Sequence, residues 1–191
     1  MRNPVLLAPG AGADRDQPAL VALDQALSAR GHVVGRMDFP YRKAGRRAPD
    51  RAPVLIQAVR NEAAALVERA GGAKPGDLIL GGRSMGGRMC SMAVAEGLAA
   101  RALVLISYPL HPPGRPERLR TEHFGAIGVP CLFVSGTRDA FATPDELTEA
   151  AALLAGDVTH VWLDGGDHGL RRRDQQVVEA VLGWLDRLDH E

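Results

Sequence analysis

Short apolar runs recur along the chain, each separated from the next by a loop and a helix-like pattern. Six such runs lie at residues 5–8, 33–37, 78–81, 103–106, 132–134 and 158–163. They are apolar at consecutive positions, which is typical of strands buried on both faces. Between them apolar residues return at helical spacing, as Leu20, Leu23 and Leu27 do. The pattern therefore predicts alternating strands and helices.

Strands that alternate with helices predict an α/β fold, here a three-layer α/β/α sandwich around a six-stranded, mainly parallel sheet. Right-handed crossovers place the carboxyl ends of all the strands at one edge of that sheet. We therefore expect the functional loops at this edge. A length of 191 residues suits one domain spanning residues 1–191.

The amino-acid composition indicates which partners and which cellular compartment to expect for this protein. The 23 basic and 23 acidic residues cancel, so we expect neither a nucleic-acid nor a membrane partner. Cys90 and Cys131 lie in apolar segments without metal-type spacing, which favours a reducing, cytoplasmic location and no metal. No apolar run approaches the roughly 18 residues of a membrane span. The apolar run before Pro9 is also shorter than a signal peptide requires.

A G-x-S-x-G motif at residues 82–86 follows the third apolar run and precedes a helical pattern. This context is typical of a nucleophile elbow, in which Ser84 stands on a strained strand-to-helix turn. Side chains at Gly82 or Gly86 would crowd that turn. A phosphate-binding loop is the competing interpretation, but Gly87 and Arg88 stand where it needs Lys and Ser or Thr.

A serine nucleophile needs a base, and the base needs an orienting acid. In hydrolases built on such an elbow, the chain order is serine, acid, histidine. Asp139 follows the fifth apolar run and His168 the sixth, so both fall at the expected edge in that order. Asp164 and Asp167 are alternative acids, but they lie close in sequence to His168. The other histidines fit the order or the edge less well: His32, His111, His123, His160 and His190.

An oxyanion hole needs two amide donors. The residue after the nucleophile, Met85, supplies one, and the loop after the first strand supplies the other. We expect Ala11 as that second donor, with Gly12 as the alternative. Gly10 and Gly12 also begin a dinucleotide-binding pattern, but Arg15 occupies its third glycine position.

Several side chains are candidates for substrate contact. Arg83 adjoins the nucleophile, and Tyr108 and His111 follow the fourth strand in a proline-rich loop. Basic residues also cluster at 42–51 and 171–173. Arginines can bind a carboxylate through two hydrogen bonds, but most basic runs are solvated surface. An anionic small-molecule substrate and a solvated face therefore both stay open.

Local sequence phrases resemble the α/β-hydrolase superfamily over essentially the whole chain. They lie at residues 6–13, 38–42, 81–88, 108–114 and 136–139. Within the superfamily they are similar to small, capless hydrolases related to dienelactone hydrolase. That group includes a testis-expressed hydrolase-like protein and a hydrolase-like domain of a histone-acetyltransferase complex. The resemblance implies Ser84 as nucleophile, Asp139 as acid and His168 as base, without a cofactor.

Two departures from the family accompany this resemblance. The first apolar run corresponds to the third of the family's usual eight strands, so we expect the antiparallel N-terminal pair to be missing. The segment at 108–130 is short where larger relatives insert a helical lid. We therefore expect no lid domain and a shallow site.

Together these features predict a serine hydrolase that acts on a carboxylic ester, lactone or thioester through an acyl-enzyme. Acyl transfer and peptide hydrolysis would use the same residues, and the sequence does not separate them. From a different class, the alternative is a catalytically idle fold that serves as a binding or scaffold module. Nothing in the sequence predicts an oligomeric state.

Overall fold

A computed structural model describes residues 2–190 of the chain. Six strands form one sheet in the order β2-β1-β3-β4-β5-β6, and all five strand pairings are parallel. The strands are β1 Pro4–Ala8, β2 Val33–Arg36, β3 Ile79–Arg83, β4 Ala102–Ile106, β5 Cys131–Gly136 and β6 Val158–Leu163. Each predicted run overlaps one strand, and only Met37 and Leu78 of these runs lie just outside the strands. The prediction of a mainly parallel sheet is therefore confirmed, and in the described residues the sheet is parallel throughout.

Helices connect these strands on both sides of the sheet. They are α1 Pro18–Ala29, α2 Pro40–Lys43, α3 Ala52–Arg69, α4 Met85–Ala95, α5 Pro144–Ala151 and α6 Asp174–Leu188. The spatial order reverses at β1, where β2 lies on one side and β3 on the other. In parallel sheets such a reversal opens a crevice at the carboxyl ends of the strands, where ligands bind.

Two hydrophobic clusters, one on each face of the sheet, hold the three layers together. Alternate residues of β3 divide between them, with Leu80 in one cluster and Ile79 in the other. The first cluster is covered by α3, α4 and α5, and the second by α1 and α6. Fully burying one leucine contributes roughly 1.5–3 kcal/mol. This two-sided burial explains why the strands are apolar at consecutive positions.

The segment between β4 and β5 contains turns and one short 3₁₀ helix, Phe124–Ala126. Tyr108 anchors it, because its ring packs against Phe124 and Phe133 at centroid distances of 5.4 and 5.9 Å. Within residues 2–190 no lid domain covers the carboxyl edge of the sheet, in agreement with the prediction. None of the helices in these residues is both long and apolar enough to cross a bilayer.

Candidate active site

Ser84 lies between β3 and α4 in a backbone conformation that L-residues rarely adopt. Its φ is 50° and its ψ is −116°. Two hydrogen bonds fix this turn: the Ser84 N–H donates to the Ile106 carbonyl at 2.8 Å, and the Arg88 N–H donates to the Ser84 carbonyl at 3.0 Å. Such a conformation costs of order 1–3 kcal/mol and persists only where the surroundings enforce it.

The flanking glycines are needed because the turn packs directly against other backbone. A Cβ at Gly86 would stand 2.6 Å from the Pro9 carbonyl oxygen, and a Cβ at Gly82 would stand 2.5 Å from the Gly86 carbonyl carbon. Neither neighbour can rotate away, because both are main-chain atoms. The G-x-S-x-G pattern therefore follows from the close approach of α4 to β3 and to the loop after β1.

Hydrogen bonds join Ser84, His168 and Asp139 into one chain. The Ser84 hydroxyl lies 2.9 Å from His168 Nε2, and His168 Nδ1 lies 2.8 and 2.9 Å from the two carboxylate oxygens of Asp139. Asp139 is 3% exposed, and one of its oxygens also accepts the Phe141 N–H at 2.8 Å. The three residues that sequence places on separate loops thus meet at the carboxyl edge of the sheet.

The His168 ring is held from two further sides. The Phe141 ring stacks on it at a centroid distance of 3.9 Å, and the Arg83 guanidinium donates to the His168 carbonyl. Burial lowers the pKa of Arg83, while the nearby carboxylates of Asp139, Asp167 and Asp174 act in the opposite direction. Arg83, expected at the substrate, therefore lines the cavity in front of Ser84 and also holds the loop that carries His168.

Among residues 10–12 of the loop after β1, one amide has no protein acceptor. The Gly10 N–H donates to Gln17 Oε1 at 3.0 Å, and the Gly12 N–H donates to the Tyr41 hydroxyl at 3.1 Å. Between them, the Ala11 N–H has no acceptor within residues 2–190, and the same holds for the Met85 N–H at the start of α4. Of the two expected alternatives, Gly12 is occupied and Ala11 is available.

A cavity of about 380 Å³ opens in front of Ser84 and His168. Its remaining walls include Ala11, Arg83, Met85, Arg88, Pro109, Arg120 and Phe141. These walls combine the available amides, the phenyl ring of Phe141 and three arginine side chains. The cavity is open to solvent, as a site without a lid domain would be.

Tyr108 and His111, expected at the substrate, lie behind this cavity and do not line it. Tyr108 is fully buried and its hydroxyl donates to the Arg120 carbonyl at 2.9 Å. His111 is 5% exposed and its ring contacts the Pro112 carbonyl and the Glu146 carboxylate at 2.9 and 3.3 Å. Both side chains support the loop after β4 from within.

The two basic clusters have different surroundings. Within 42–51, three cations pair with carboxylates: Arg42 with Asp14 at 3.5 Å, Lys43 with Glu62 at 2.7 Å and Arg46 with Asp50 at 2.8 Å. Arg171 and Arg172 instead line a second cavity of about 400 Å³, next to Arg83 and Asp174. Neither cluster contributes to the cavity in front of Ser84.

A second serine–histidine pair lies two helical turns further along α4, at Ser91. The Ser91 hydroxyl is 2.8 Å from His123 Nε2 and donates its proton to the Arg88 carbonyl, also at 2.8 Å. Because that proton is committed, His123 must be the donor in the pair. Burial and the charge of Arg88 lower the pKa of His123 to about 4. Within residues 2–190 no carboxylate contacts its ring.

Four residues of the cavity wall were not expected from the sequence: Arg88, Pro109, Arg120 and Phe141. A signal existed for Arg88, because it follows Ser84 by four residues on a helix and so lies on the same face. Phe141 follows the acid by two residues. Arg120 and Pro109 belong to an irregular loop, where no periodicity indicates the direction of a side chain.

The fold and the hydrogen-bonded serine, histidine and aspartate define a chain of the α/β-hydrolase class. The sequence matches the alpha/beta hydrolase domain family over residues 1–182, and the chain belongs to that family.

Solved structures show the same fold at low sequence identity. An alpha-beta serine hydrolase homologue from Coxiella burnetii superposes with a TM-score of 0.78 at 15% identity, over 96% of this chain and 85% of that one. Dienelactone hydrolase from Anabaena variabilis gives 0.76 at 18% identity, over 97% and 86%. Epoxide hydrolase A of Mycobacterium tuberculosis is 36% identical over 64 residues, 33% of this chain and 20% of that protein. This last match therefore spans a fifth of the relative's length.

Proposed function

We propose that this protein is a serine hydrolase that cleaves a carboxylic ester, lactone or thioester of a small molecule through an acyl-enzyme. The observation that carries the proposal is the chain of hydrogen bonds from Ser84 through His168 to the buried Asp139. Solvent access to this chain through an open cavity supports the same role. The cytoplasmic location stays a prediction from the sequence.

In the proposed reaction the Ser84 oxygen attacks the carbonyl carbon while His168 Nε2 takes the hydroxyl proton. Asp139 accepts the Nδ1–H bond, which holds the ring in the tautomer that leaves Nε2 free to act as the base. The developing oxyanion would accept hydrogen bonds from the Ala11 and Met85 amides. His168 then protonates the leaving group, and water attacks the acyl-enzyme by the same sequence of proton transfers.

A binding or scaffold role is the competing proposal, and two features weigh against it. The backbone of Ser84 occupies a strained conformation that a passive surface would not require. The amides of Ala11 and Met85 also lack protein acceptors within residues 2–190, next to a serine that already contacts a histidine. Both features are typical of a site prepared for an oxyanion.

A fluorophosphonate probe tests the proposal directly, because it phosphonylates only an activated serine. We expect the intact mass of the wild-type protein to rise by one probe adduct, and the Ser84→Ala variant to show no adduct. Ser91→Ala is the matched control, since it removes the other serine that contacts a histidine, and it should label as the wild type does. An unmodified wild-type mass, or equal labelling of Ser84→Ala, would contradict the proposal.

The class of bond is then resolved by hydrolysis of short p-nitrophenyl esters, lactones and thioesters. Ser84→Ala provides the background rate for each substrate. We expect measurable turnover of at least one of these classes above that background.

A further inference from the structure

Three arginines line the active-site cavity; Arg83 is engaged with the His168 carbonyl, and the other two come from different elements. Arg88 lies on α4, one helical turn after Ser84, and Arg120 lies in the segment between β4 and β5. Both are partly buried. An arginine keeps its charge under all ordinary conditions, so this wall of the cavity carries two positive charges.

Neither charge has an acidic partner among residues 2–190. No carboxylate in this part of the chain lies within 4.0 Å of either guanidinium group, whereas Arg42 has one such partner and Arg36 has two. The Nε of Arg88 is buried and makes no hydrogen bond. Among residues 2–190, the guanidinium group of Arg120 donates to one acceptor, the Pro109 carbonyl, at 3.2 Å. A buried donor without an acceptor is unfavourable, so a ligand that accepts a hydrogen bond from it would recover that free energy.

The two guanidinium groups are also close enough to repel each other. Burial lowers the pKa of Arg120, and the charges of Arg88 and, to a smaller extent, Arg118 lower it further. The Glu122 carboxylate acts in the opposite direction, but its side chain is exposed to solvent. A bound anion between the two cations would relieve the repulsion.

We propose that Arg88 and Arg120 bind a carboxylate of the substrate, separate from the bond that Ser84 attacks. This inference rests on the proposed hydrolase function and narrows its substrate to a small acidic ester or thioester. The cavity of about 380 Å³ accommodates a molecule of that size. Arg83 is not part of this subsite, because its guanidinium donates to the His168 carbonyl and has three carboxylates nearby.

Matched pairs of esters test the proposal. One pair places the carboxylate on the acyl side: mono-p-nitrophenyl adipate and its methyl ester. The other places it on the leaving group: 4-acetoxybenzoate and its methyl ester. With Ser84→Ala rates subtracted, we expect kcat/KM of the wild type to favour the acid about 10-fold or more in at least one pair. That preference should decrease as salt screens the charges.

Substitution of the arginines shows whether they cause the preference. Arg88→Gln and Arg120→Gln should each reduce the acid-to-neutral ratio of kcat/KM about 10-fold, since a hydrogen bond to a charged group is worth roughly that factor. Arg88→Lys and Arg120→Lys keep the charge and should retain part of the ratio. Arg115→Gln is the control, because this exposed arginine lies in the same segment but outside the cavity wall, and the ratio should not change.

A ratio near one in both ester pairs, or a ratio that Arg88→Gln and Arg120→Gln leave intact, would overturn the carboxylate site while ester hydrolysis and probe labelling of Ser84 stand. If instead no ester is hydrolysed and no serine labels, adipate binding measured by calorimetry still tests the site. Ser84→Ala should then bind adipate about 10-fold more tightly than Ser84→Ala combined with Arg88→Gln. Equal affinities there would reject the site independently of catalysis.

Discussion

Helix α4 and the turn before it carry two serine–histidine contacts of almost equal length, and only one of the two serines has the features of a nucleophile. Ser84 lies 2.9 Å from the His168 ring, and Ser91 lies 2.8 Å from the His123 ring. The difference is in the second ring nitrogen. That of His168 contacts Asp139, whereas no carboxylate in residues 2–190 contacts His123.

Solvent access and backbone geometry separate the two serines as well. Ser84 opens onto a cavity from a strained turn, whereas Ser91 is fully buried in the body of the helix. The Ser91 hydroxyl also donates its proton in a hydrogen bond to the Arg88 carbonyl. A short distance between serine and histidine is thus insufficient to identify a nucleophile. The acid, the direction of the proton and the open space in front of the oxygen are what distinguish the pairs.

Replacement of Asp139 should have the largest effect on the difference in reactivity between Ser84 and Ser91. In Asp139→Asn we expect kcat for the best ester to fall about 10³- to 10⁴-fold, because an amide at this position favours the tautomer in which Nε2 carries the proton. Steady-state kinetics and the rate of probe labelling measure the loss. Asp164→Asn is the control, since its exposed side chain accepts from Thr137 and does not reach His168. Equal rates for Asp139→Asn and wild type would remove the distinction between the two histidines.

A methyl group at the elbow should be the next most damaging change. In Gly86→Ala the new Cβ would meet the Ala8 and Pro9 main chain, which cannot rotate away. We expect a loss of about 3 kcal/mol in the free energy of unfolding, together with slower labelling of Ser84. Urea denaturation measures the first effect and intact mass over time the second.

Gly76→Ala is the matched control for that substitution, because a Cβ there has no atom within 4 Å and the backbone is not left-handed. It should change the free energy of unfolding by less than about 0.5 kcal/mol. A Gly86→Ala protein as stable as Gly76→Ala would mean that the elbow is not held by this contact.

The sequence was sufficient to predict the strands and their parallel arrangement, because a strand depends on a local pattern. It was also sufficient to predict the positions of Ser84, Asp139 and His168, because these depend on chain order. A consecutive apolar run predicts a buried strand, and the carboxyl ends of parallel strands meet at one edge. His168 could be chosen over His160 because it follows a strand and does not lie within one. The meeting of the three side chains is therefore a consequence of topology.

The walls of the cavity could not be predicted in the same way. Tyr108 and His111 follow β4 at the expected edge, yet Tyr108 turns into the core against Phe124 and His111 turns towards Glu146. In irregular loops the direction of a side chain has no period and depends on packing with distant segments. Arg120 reaches the cavity for the same reason, through a loop path that no local pattern specifies.

Removal of the buried Ser91 hydroxyl should reduce the stability of the protein and leave its catalytic activity nearly unchanged. In Ser91→Ala we expect the free energy of unfolding to fall by about 1–3 kcal/mol, because the Nε2–H of His123 loses its acceptor and the Arg88 carbonyl loses a donor. Activity on a neutral ester should stay within about threefold of the wild type, since such a loss is far smaller than that of a nucleophile. A decrease in turnover comparable to that of Ser84→Ala would assign Ser91 a chemical role.

The smallest expected effect is a pH dependence of stability that belongs to His123. Burial and the charge of Arg88 lower the pKa of this ring in the folded protein to about 4, from an ordinary value of 6.5. Between these values the unfolded chain binds a proton that the folded protein does not, so acidification from about pH 6.5 towards 4 favours unfolding. His32 and His160, whose pKa values burial also lowers, act in the same direction.

Urea denaturation of wild type and His123→Phe at pH 7 and pH 5 isolates the contribution of His123, because the variant should lose less stability than the wild type. If the wild type and His123→Phe lose the same stability between pH 7 and pH 5, the pKa of His123 in the folded protein is close to its ordinary value. The Ser91–His123 pair would then accommodate a protonated histidine in the folded protein.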